Sequence, residues 1–214
     1  MGTVIGKISA ETPKYQVLAK GTDYEIREYE ASIAAQVTYD PTQMKRGRDG
    51  GFMILAGYIG AVGKPNNVKP QKEQQEGEKI AMTAPVITQE SSPPTSEPIA
   101  MTAPVLTEEA SEPGDDAKKM VTMQFILPSS YTGENVPRPN DSRVSIKEMP
   151  KRKYGVVTFS GVTDEGVVKN KVEKLRKSLE EDGYRVAGDY VLARYNPPWT
   201  LPFLRTNEIM LPVE

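Results

Sequence analysis

The 214-residue chain contains no cysteine and no histidine. Without cysteine it can form no disulfide, no thiol redox centre and no thiolate nucleophile. Without histidine a Ser-His-Asp triad is excluded, and with neither residue a zinc site lacks the ligands that zinc prefers. An enzyme built on this chain would have to work with carboxylates, Lys, Arg, Tyr, Ser and Thr alone.

A strong charge of either sign is also missing, since the net charge is -2 and the pI is about 5.5. There is no dense basic run, so the electrostatic signature of a nucleic-acid-binding protein is absent. No stretch approaches the roughly 18 consecutive apolar residues of a membrane-spanning helix, and the first seven residues do not resemble a signal peptide. These features predict a cytoplasmic protein whose partners are small molecules or proteins, with neither nucleic acid nor a membrane among them.

A heptapeptide, I-A-M-T-A-P-V, occurs twice, at residues 80–86 and 99–105. In the first copy Ile80, Met82 and Ala84 stand at alternate positions, which predicts a strand with one apolar face that is irregular near its proline. The repeated heptapeptide indicates either a duplicated hairpin arm or a pair of strands that line a binding site. We expect residues 80–86 to form a strand of the main sheet and residues 99–105 to pair beside it as an added hairpin arm.

Two segments have helical periodicity. Residues 164–182 carry an apolar stripe at spacings of four, three and four residues and end before Gly183. Asp40 and Pro41 are typical of a helix start, and the apolar stripe that follows predicts a helix to residue 62, with a break near Gly50. The first stripe comprises Met44, Phe52, Leu55, Ile59 and Val62, and the second comprises Val168, Val172, Leu175 and Leu179.

The second half of the chain repeats the first. At a shift of 120 positions, V-T-Y at residues 37–39 matches V-T-F at residues 157–159, and the first helical stripe falls on the second. Further along the shift is smaller, and residues 81–85 match residues 193–197. We therefore expect two β-α-β-β units, each packing its helix on antiparallel strands. Residues 1–14 form an extension, and the halves span 15–128, with inserted loops at 64–79, 88–98 and 107–118, and 143–214.

Catalysis has little support in the sequence. The acidic residues lie mostly in charge-mixed segments such as 173–181, which are typical of a solvated surface. There is no G-x-S-x-G motif, no phosphate-binding glycine loop and no carboxylate cluster with metal-ligand spacing. We expect no enzymatic activity and no metal site.

A binding function is better supported. Nine Met and ten Tyr provide adaptable and amphipathic surface that suits a flat hydrophobic ligand. Lys45, Arg46 and Arg48 precede the apolar positions of the first helix, which predicts cations at the rim of an apolar groove. The aromatic segment at residues 195–199, followed by Arg205, either caps the fold or contributes to such a groove.

Several motifs in a fixed order resemble those of the SOUL heme-binding proteins. They are Y-E-I-R-E-Y, L-A-G-Y-I-G, K-I-A-M-T-A-P-V, K-Y-G-V-V-T-F-S-G and Y-N-P-P-W-T-L-P-F-L-R-T-N-E-I-M-L-P-V. The resemblance extends from about residue 15 to the C-terminus, and the doubled heptapeptide is similar to the plant cytosolic branch. It implies an α+β fold, a distorted antiparallel β-barrel from two β-α-β-β repeats with two helices packed on the sheet. The implied function is reversible binding of heme and related tetrapyrroles by a cytosolic buffer or carrier, with a protein partner that receives the heme.

The resemblance also implies a site beside the first helix, crossed by the loop at residues 195–205. The residues that it assigns are Arg46 or Arg48 as the cation, Phe52, Leu55, Tyr58 and Ile59 on the helix, and Trp199 and Arg205 in the loop. Some relatives have a Lys where this chain has Thr200-Leu201, which makes Arg205 the nearest cation. Because histidine is absent, we expect heme or protoporphyrin to be held without an obligatory axial protein ligand, with Tyr, Met, Lys or water left to meet the iron.

Two other functions are open at this stage. The same barrel resembles that of bacterial multidrug-binding regulators, which would make the chain a binder or sensor of other flat amphipathic molecules. Alternatively, the chain is a protein-interaction module whose polar loops at 88–98 and 107–118 dock a partner.

Overall fold

The computed structural model describes residues 8, 10–44, 47–70, 77–91, 120–197 and 199–214, with only the backbone described at Arg48 and Ser91. These residues form eleven strands and two α-helices. In chain order the elements are β1 (Tyr15–Lys20), β2 (Glu25–Tyr29), β3 (Ser32–Tyr39), α1 (Gly50–Ile59), β4 (Asn67–Val68), β5 (Val86–Ser91), β6 (Met120–Ile126), β7 (Arg138–Pro139), β8 (Val144–Met149), β9 (Arg152–Phe159), α2 (Glu165–Glu181), β10 (Val191–Arg194) and β11 (Asn207–Pro212).

Nine of these strands form one antiparallel sheet in the order β1-β2-β9-β11-β10-β5-β6-β3-β8, which curls into a half-barrel. The order is symmetric about the boundary between β10 and β5. On one side lie β10, β11, β9 and β2, and on the other lie their counterparts β5, β6, β3 and β8, while β1 is added beside β2 at one edge without a counterpart. Each half therefore contains one β-α-β-β unit, β3-α1-β5-β6 or β9-α2-β10-β11, and the predicted α+β fold with two helices is confirmed.

Helix α2 forms where the sequence predicts it. Asp164 begins it, because its Oδ1 accepts a hydrogen bond from the Val167 backbone N–H at 2.9 Å. Its apolar stripe, including the buried Leu175 and Leu179, packs on β9 and β11. The chain leaves the helix through Gly183, whose φ of +85° favours glycine.

Helix α1 begins later than predicted, at Gly50. Asp40 does cap a turn, since its Oδ1 accepts from the Thr42 N–H at 2.8 Å, but this turn is a short 3-10 helix that ends at Gln43. Gly47 has a φ of +51°, which breaks any continuous α-helix at that point. At the other end, Val62 lies beyond the helix and is exposed.

The first heptapeptide does not form the predicted strand. Its alternation fails because Met82 is exposed, whereas Thr83 is buried and its hydroxyl donates to the Ile126 backbone carbonyl. Pro85 has no N–H to give to a ladder, so strand pairing starts only at Val86. Consequently residues 88–91, predicted as part of a loop, belong to β5. The second copy, at residues 99–105, lies outside the described residues, as do most of the predicted loops.

The sheet has two unlike faces, since successive side chains of a strand point in opposite directions. Along β3, Ala35 and Val37 belong to a core cluster under α1, whereas Gln36 points into the concave side. Along β9, Val157 packs under α2 and Tyr154 points into the concave side. Both helices therefore cover the same face, and the other face encloses a cavity.

Candidate functional site

An ion pair joins the start of α1 to the root of the loop at residues 195–205. Arg194 Nη1 lies 2.8 Å from Asp49 Oδ1, and Arg194 Nη2 donates to Thr88 Oγ1 at 3.3 Å. Asp49 directly precedes α1, and Arg194 is the last residue of β10, after which the loop begins. The structure thus brings together the two segments to which the sequence assigns the site.

Three of the four predicted helix residues lie in the core. Leu55, Tyr58 and Ile59 are fully buried against the sheet, and the Tyr58 hydroxyl donates to the Pro137 carbonyl at 2.8 Å. In this structure they offer no surface to a ligand and instead hold α1 on β3 and β6. Phe52 is half-buried, with its ring edge-on to Phe125 at 5.4 Å between centroids.

The outward surface of α1 is formed by other residues. Met53 is 43% exposed, and a Cβ built on Gly57, one turn further, would meet no atom within 4 Å. A flat molecule could therefore approach the helix backbone at this point. Sequence periodicity did not indicate either position, because an apolar stripe marks the side of a helix that faces the core.

The loop presents apolar side chains to solvent on an ordered frame. Trp199 is 68% exposed and Phe203 is 70% exposed. The Thr206 N–H donates to Asn196 Oδ1 at 2.7 Å, which joins the two ends of the loop, and the Gly161 N–H donates to the Pro202 carbonyl at 2.9 Å, which ties the loop to the segment after β9. Exposed aromatic groups on a fixed backbone are typical of a binding surface.

The structure describes the side chain of only one of the predicted cations. Arg205 is half-buried, and its Nε donates to the Thr200 carbonyl at 2.8 Å, within the predicted loop. Arg46 and the side chain of Arg48 lie outside the described residues, so their assignment stays a prediction. Arg194, which the sequence did not single out, adds a cation between helix and loop, although it is already paired with Asp49.

A buried ionic cluster lies on the concave face and was also missed. Arg27 Nε contacts Glu25 Oε2 at 2.8 Å, and Arg27 Nη1 contacts Glu208 Oε1 at 2.8 Å. Burial acts against the Arg27 charge, but hydrogen bonds with Glu208 and Tyr29 outweigh it and raise the Arg27 pKa. The hydrogen bond from Arg27 likewise lowers the pKa of Glu25. A signal existed in N-E-I-M-L-P, where Glu208 is the one charged residue in an otherwise largely apolar strand segment and shares a face with Met210.

Neither a metal-binding cluster nor a membrane-spanning helix occurs among the described residues. They contain no group of three or more acidic side chains placed to hold a metal ion. Within the same residues, no helix combines the length and the apolar character needed to cross a membrane.

Comparison with known proteins identifies the family. The family model described as SOUL heme-binding protein matches residues 10–97 and 93–212, and the chain belongs to this family. A search of curated proteins gives no match.

Solved structures with a similar fold include the C-terminal domain of EcmrR, at 16% identity with a TM-score of 0.54, where the match covers 94% of this chain and 98% of that chain. They also include EcmrR in a complex with DNA, at 15% identity and a TM-score of 0.51, covering 94% and 57% of the respective chains. A hydrolase from Listeria innocua matches at 12% identity and a TM-score of 0.51, over 92% and 94%. At these identities the likeness concerns the fold alone.

Proposed function

We propose that this protein reversibly binds heme and related tetrapyrroles on the surface between α1 and the loop at residues 195–205, and that it serves as a cytoplasmic buffer or carrier without catalytic activity. The observation that supports the proposal is the ion pair between Arg194 and Asp49, which joins the root of the loop that carries the exposed Trp199 to the start of α1 in a member of the SOUL heme-binding protein family.

The residues at this surface fit a tetrapyrrole in chemical terms. Trp199 and Phe203 offer exposed rings for stacking on a flat macrocycle, and Met53 with the open surface at Gly57 offers apolar contact on the helix side. Propionate groups would be met by Arg205 and by the predicted cations Arg46 and Arg48. Phe52 supports this surface from below through its contact with Phe125.

Iron is not required for this mode of capture. No histidine is present to serve as an axial ligand, so the protein holds the porphyrin ring and its propionates. We expect hemin and iron-free protoporphyrin to bind with affinities within about tenfold of each other. A much weaker affinity for protoporphyrin in parallel absorbance titrations would show that a Tyr, Met or Lys coordinates the iron.

Trp199 provides a direct test of the location, because it is the only tryptophan in the chain. A porphyrin bound against it should quench its fluorescence in step with the change in the hemin absorbance. The variant Leu18→Ala, which removes an exposed apolar side chain from β1, serves as the control and should leave the titration unchanged. Hemin binding that leaves Trp199 emission unaffected would move the site elsewhere.

The cations can be tested as a group. The double variant Arg46→Ala with Arg48→Ala should weaken hemin binding while the fold is retained, since charge pairing with propionates adds to ring contact. The control is the double variant Lys174→Ala with Lys177→Ala, which removes two positive charges from α2. Equal affinity of both double variants would refute the assignment of Arg46 and Arg48.

Carriage, as opposed to simple binding, requires release. Protein loaded with hemin should transfer it to apomyoglobin, an acceptor with a histidine ligand, and the change in the absorbance spectrum reports the rate. A complex that retains its hemin in the presence of excess acceptor would contradict a carrier role.

A further inference from the structure

The ion pair between Arg194 and Asp49 lies on the face of the sheet that the helices cover. Along β10, Ala193 packs in the cluster on the concave side, so the next side chain, Arg194, points to the opposite side. β10 and β5 pair with each other near the middle of the sheet, between the strands under α1 and the strands under α2. Arg194 therefore stands between the two helices, at the point where the loop at residues 195–205 begins.

Asp49 is aligned with the outward surface of α1. Residues four positions apart on a helix lie on the same side, and Asp49, Met53 and Gly57 follow one another at this spacing. With a rise of 1.5 Å per residue, the row from Asp49 to Gly57 is about 12 Å long. A macrocycle that lies over Met53 and Gly57 would therefore bring a propionate arm to the position of the Asp49 carboxylate.

The Asp49 carboxylate is not used to begin the helix. An aspartate at the N-cap usually accepts hydrogen bonds from the first backbone N–H groups, but Asp49, at the N-cap of α1, makes no such bond within the described residues. Its side chain is 55% exposed, against 26% for Arg194. The carboxylate can therefore leave Arg194 and return to water at small cost, as is typical of ion pairs near the surface.

Arg194, in contrast, is held in place from the sheet. Its Nη2 donates to Thr88 Oγ1 at 3.3 Å, and Thr88 is buried in β5. Its Nη1 makes the contact with Asp49, at 2.8 Å. When Asp49 leaves, a fixed guanidinium remains beside the surface of α1, and a carboxylate matches the geometry of a guanidinium well.

We propose that Arg194 is a carboxylate-binding residue of the tetrapyrrole surface, and that Asp49 occupies its guanidinium until a propionate of the ligand displaces it. This inference rests on the proposed function and adds a selection rule: the surface prefers tetrapyrroles with free carboxylates over the same macrocycles without them. A purely structural ion pair predicts the opposite response to a change at residue 49, because a loosened loop would weaken binding.

Asp49→Asn decides between these two roles. Asparagine is as good an N-cap residue as aspartate, so the fold should be retained. We expect the variant to bind protoporphyrin IX about three- to tenfold more tightly than the wild-type protein in a fluorescence titration, since the ligand no longer competes with a carboxylate. An equal or lower affinity would overturn the proposal.

The control variant is Glu181→Gln, which removes one acid from the exposed ion pair with Lys177 on α2. It changes the net charge of the protein by the same amount and should leave the affinity for protoporphyrin IX unchanged. A gain as large as that of Asp49→Asn would show that net charge alone attracts the ligand, and it would refute the exchange at Arg194.

Protoporphyrin IX dimethyl ester tests the role of the carboxylates, because it has the same macrocycle without free acids. The gain in Asp49→Asn should vanish with the ester. Arg194→Gln should bind the free acid about tenfold more weakly and the ester as well as the wild-type protein does. An equal loss for both ligands would show that Arg194 only positions the loop, and would refute direct contact with the propionate.

Failure of this inference is distinguishable from failure of the proposed function. If the wild-type protein binds protoporphyrin IX with quenching of Trp199 and Asp49→Asn brings no gain, the tetrapyrrole surface stands and the role of Arg194 is refuted. If the wild-type protein binds neither porphyrin, the proposed function is refuted and this inference with it.

Discussion

Arg27 and Glu208 form a buried ion pair between the two ends of the chain. Arg27 Nη1 lies 2.8 Å from Glu208 Oε1, and the two side chains are only 8% and 6% exposed. The pair is fully hydrogen-bonded, since Thr158 Oγ1 donates to Glu208 Oε1 at 3.1 Å and Tyr195 donates to Oε2. The Arg27 guanidinium also lies over the Tyr15 ring at 4.4 Å, so the pair links edge strand β1 to the centre of the sheet.

Glu208→Gln should destabilise the fold strongly, because it removes the more buried of the two carboxylates that pair with Arg27 and leaves only Glu25, whose side chain is 28% exposed. We expect a loss of about 3 kcal/mol in the free energy of unfolding, measured by urea denaturation. Thr158→Val leaves the ion pair in place and removes only the two long hydrogen bonds of the Thr158 hydroxyl, one from Arg27 Nη2 at 3.5 Å and one to Glu208 Oε1 at 3.1 Å, and should cost about 1–2 kcal/mol. A double variant, Arg27→Met with Glu208→Gln, should recover part of the loss. If Glu208→Gln costs no more than Thr158→Val, the charge of the pair is irrelevant to stability.

Buried tyrosines make the protein sensitive to alkaline pH. Burial raises the pKa of six of the ten tyrosines above the ordinary value of 10.0, namely Tyr24, Tyr29, Tyr39, Tyr58, Tyr131 and Tyr195. Above pH 10 the unfolded chain releases phenol protons that the folded chain keeps, so stability is full below pH 10 and falls as the pH rises beyond it.

The phenolate absorbance at about pH 11 should therefore be much smaller in the folded protein than in the same protein in denaturant. Burial and the hydrogen bond with Glu78 raise the pKa of Tyr131 to about 12, so Tyr131→Phe should reduce the loss of stability between pH 10 and 12. Phenolate formation at the same pH in folded and unfolded protein would contradict this expectation.

Periodicity and internal repetition predicted most of the fold. The stripe of α2, the strand β3 and the duplication at a shift of 120 follow from local patterns that burial imposes on a sequence. The strand prediction for the heptapeptide is wrong because the Thr83 hydroxyl donates a hydrogen bond to the neighbouring strand and the Met82 side chain points to solvent. Both features depend on tertiary contacts that leave no local signal in the sequence.

The candidate site was only partly predictable for a related reason. Leu55 and Ile59 stand out in the sequence because they are apolar, yet this property places them in the core. Met53 and Gly57 become visible as surface only when the helix is seated on the sheet. The pairing of Arg27 with Glu208, 181 positions apart, likewise depends on the order of strands.

The contact between β9 and α2 leaves no room for a side chain at Gly155. A Cβ there would lie 2.6 Å from Leu179 Cδ2, which is too close for an ordinary contact, and because Leu179 is fully buried the packing around it must shift. Gly155→Ala should lower the free energy of unfolding by about 1–3 kcal/mol. Gly166→Ala is the control, since its nearest neighbour is 3.5 Å away. In the double variant Gly155→Ala with Leu179→Ala, the two losses of unfolding free energy should not add, because the smaller side chain at residue 179 makes room for the new Cβ at residue 155. Strict additivity in thermal unfolding would refute the contact.

Gly57 separates the stability of α1 from its role in binding. Because a Cβ at this position enters open space, Gly57→Ala and Gly57→Leu should both stabilise the helix, by up to about 1 kcal/mol. Leucine, however, fills the surface on which the porphyrin is proposed to lie, and hemin affinity should fall about tenfold or more, whereas alanine should change it little. A variant that is more stable and yet binds less hemin cannot be explained by misfolding. Unchanged hemin affinity in a stable Gly57→Leu protein would exclude the outward surface of α1 from the site.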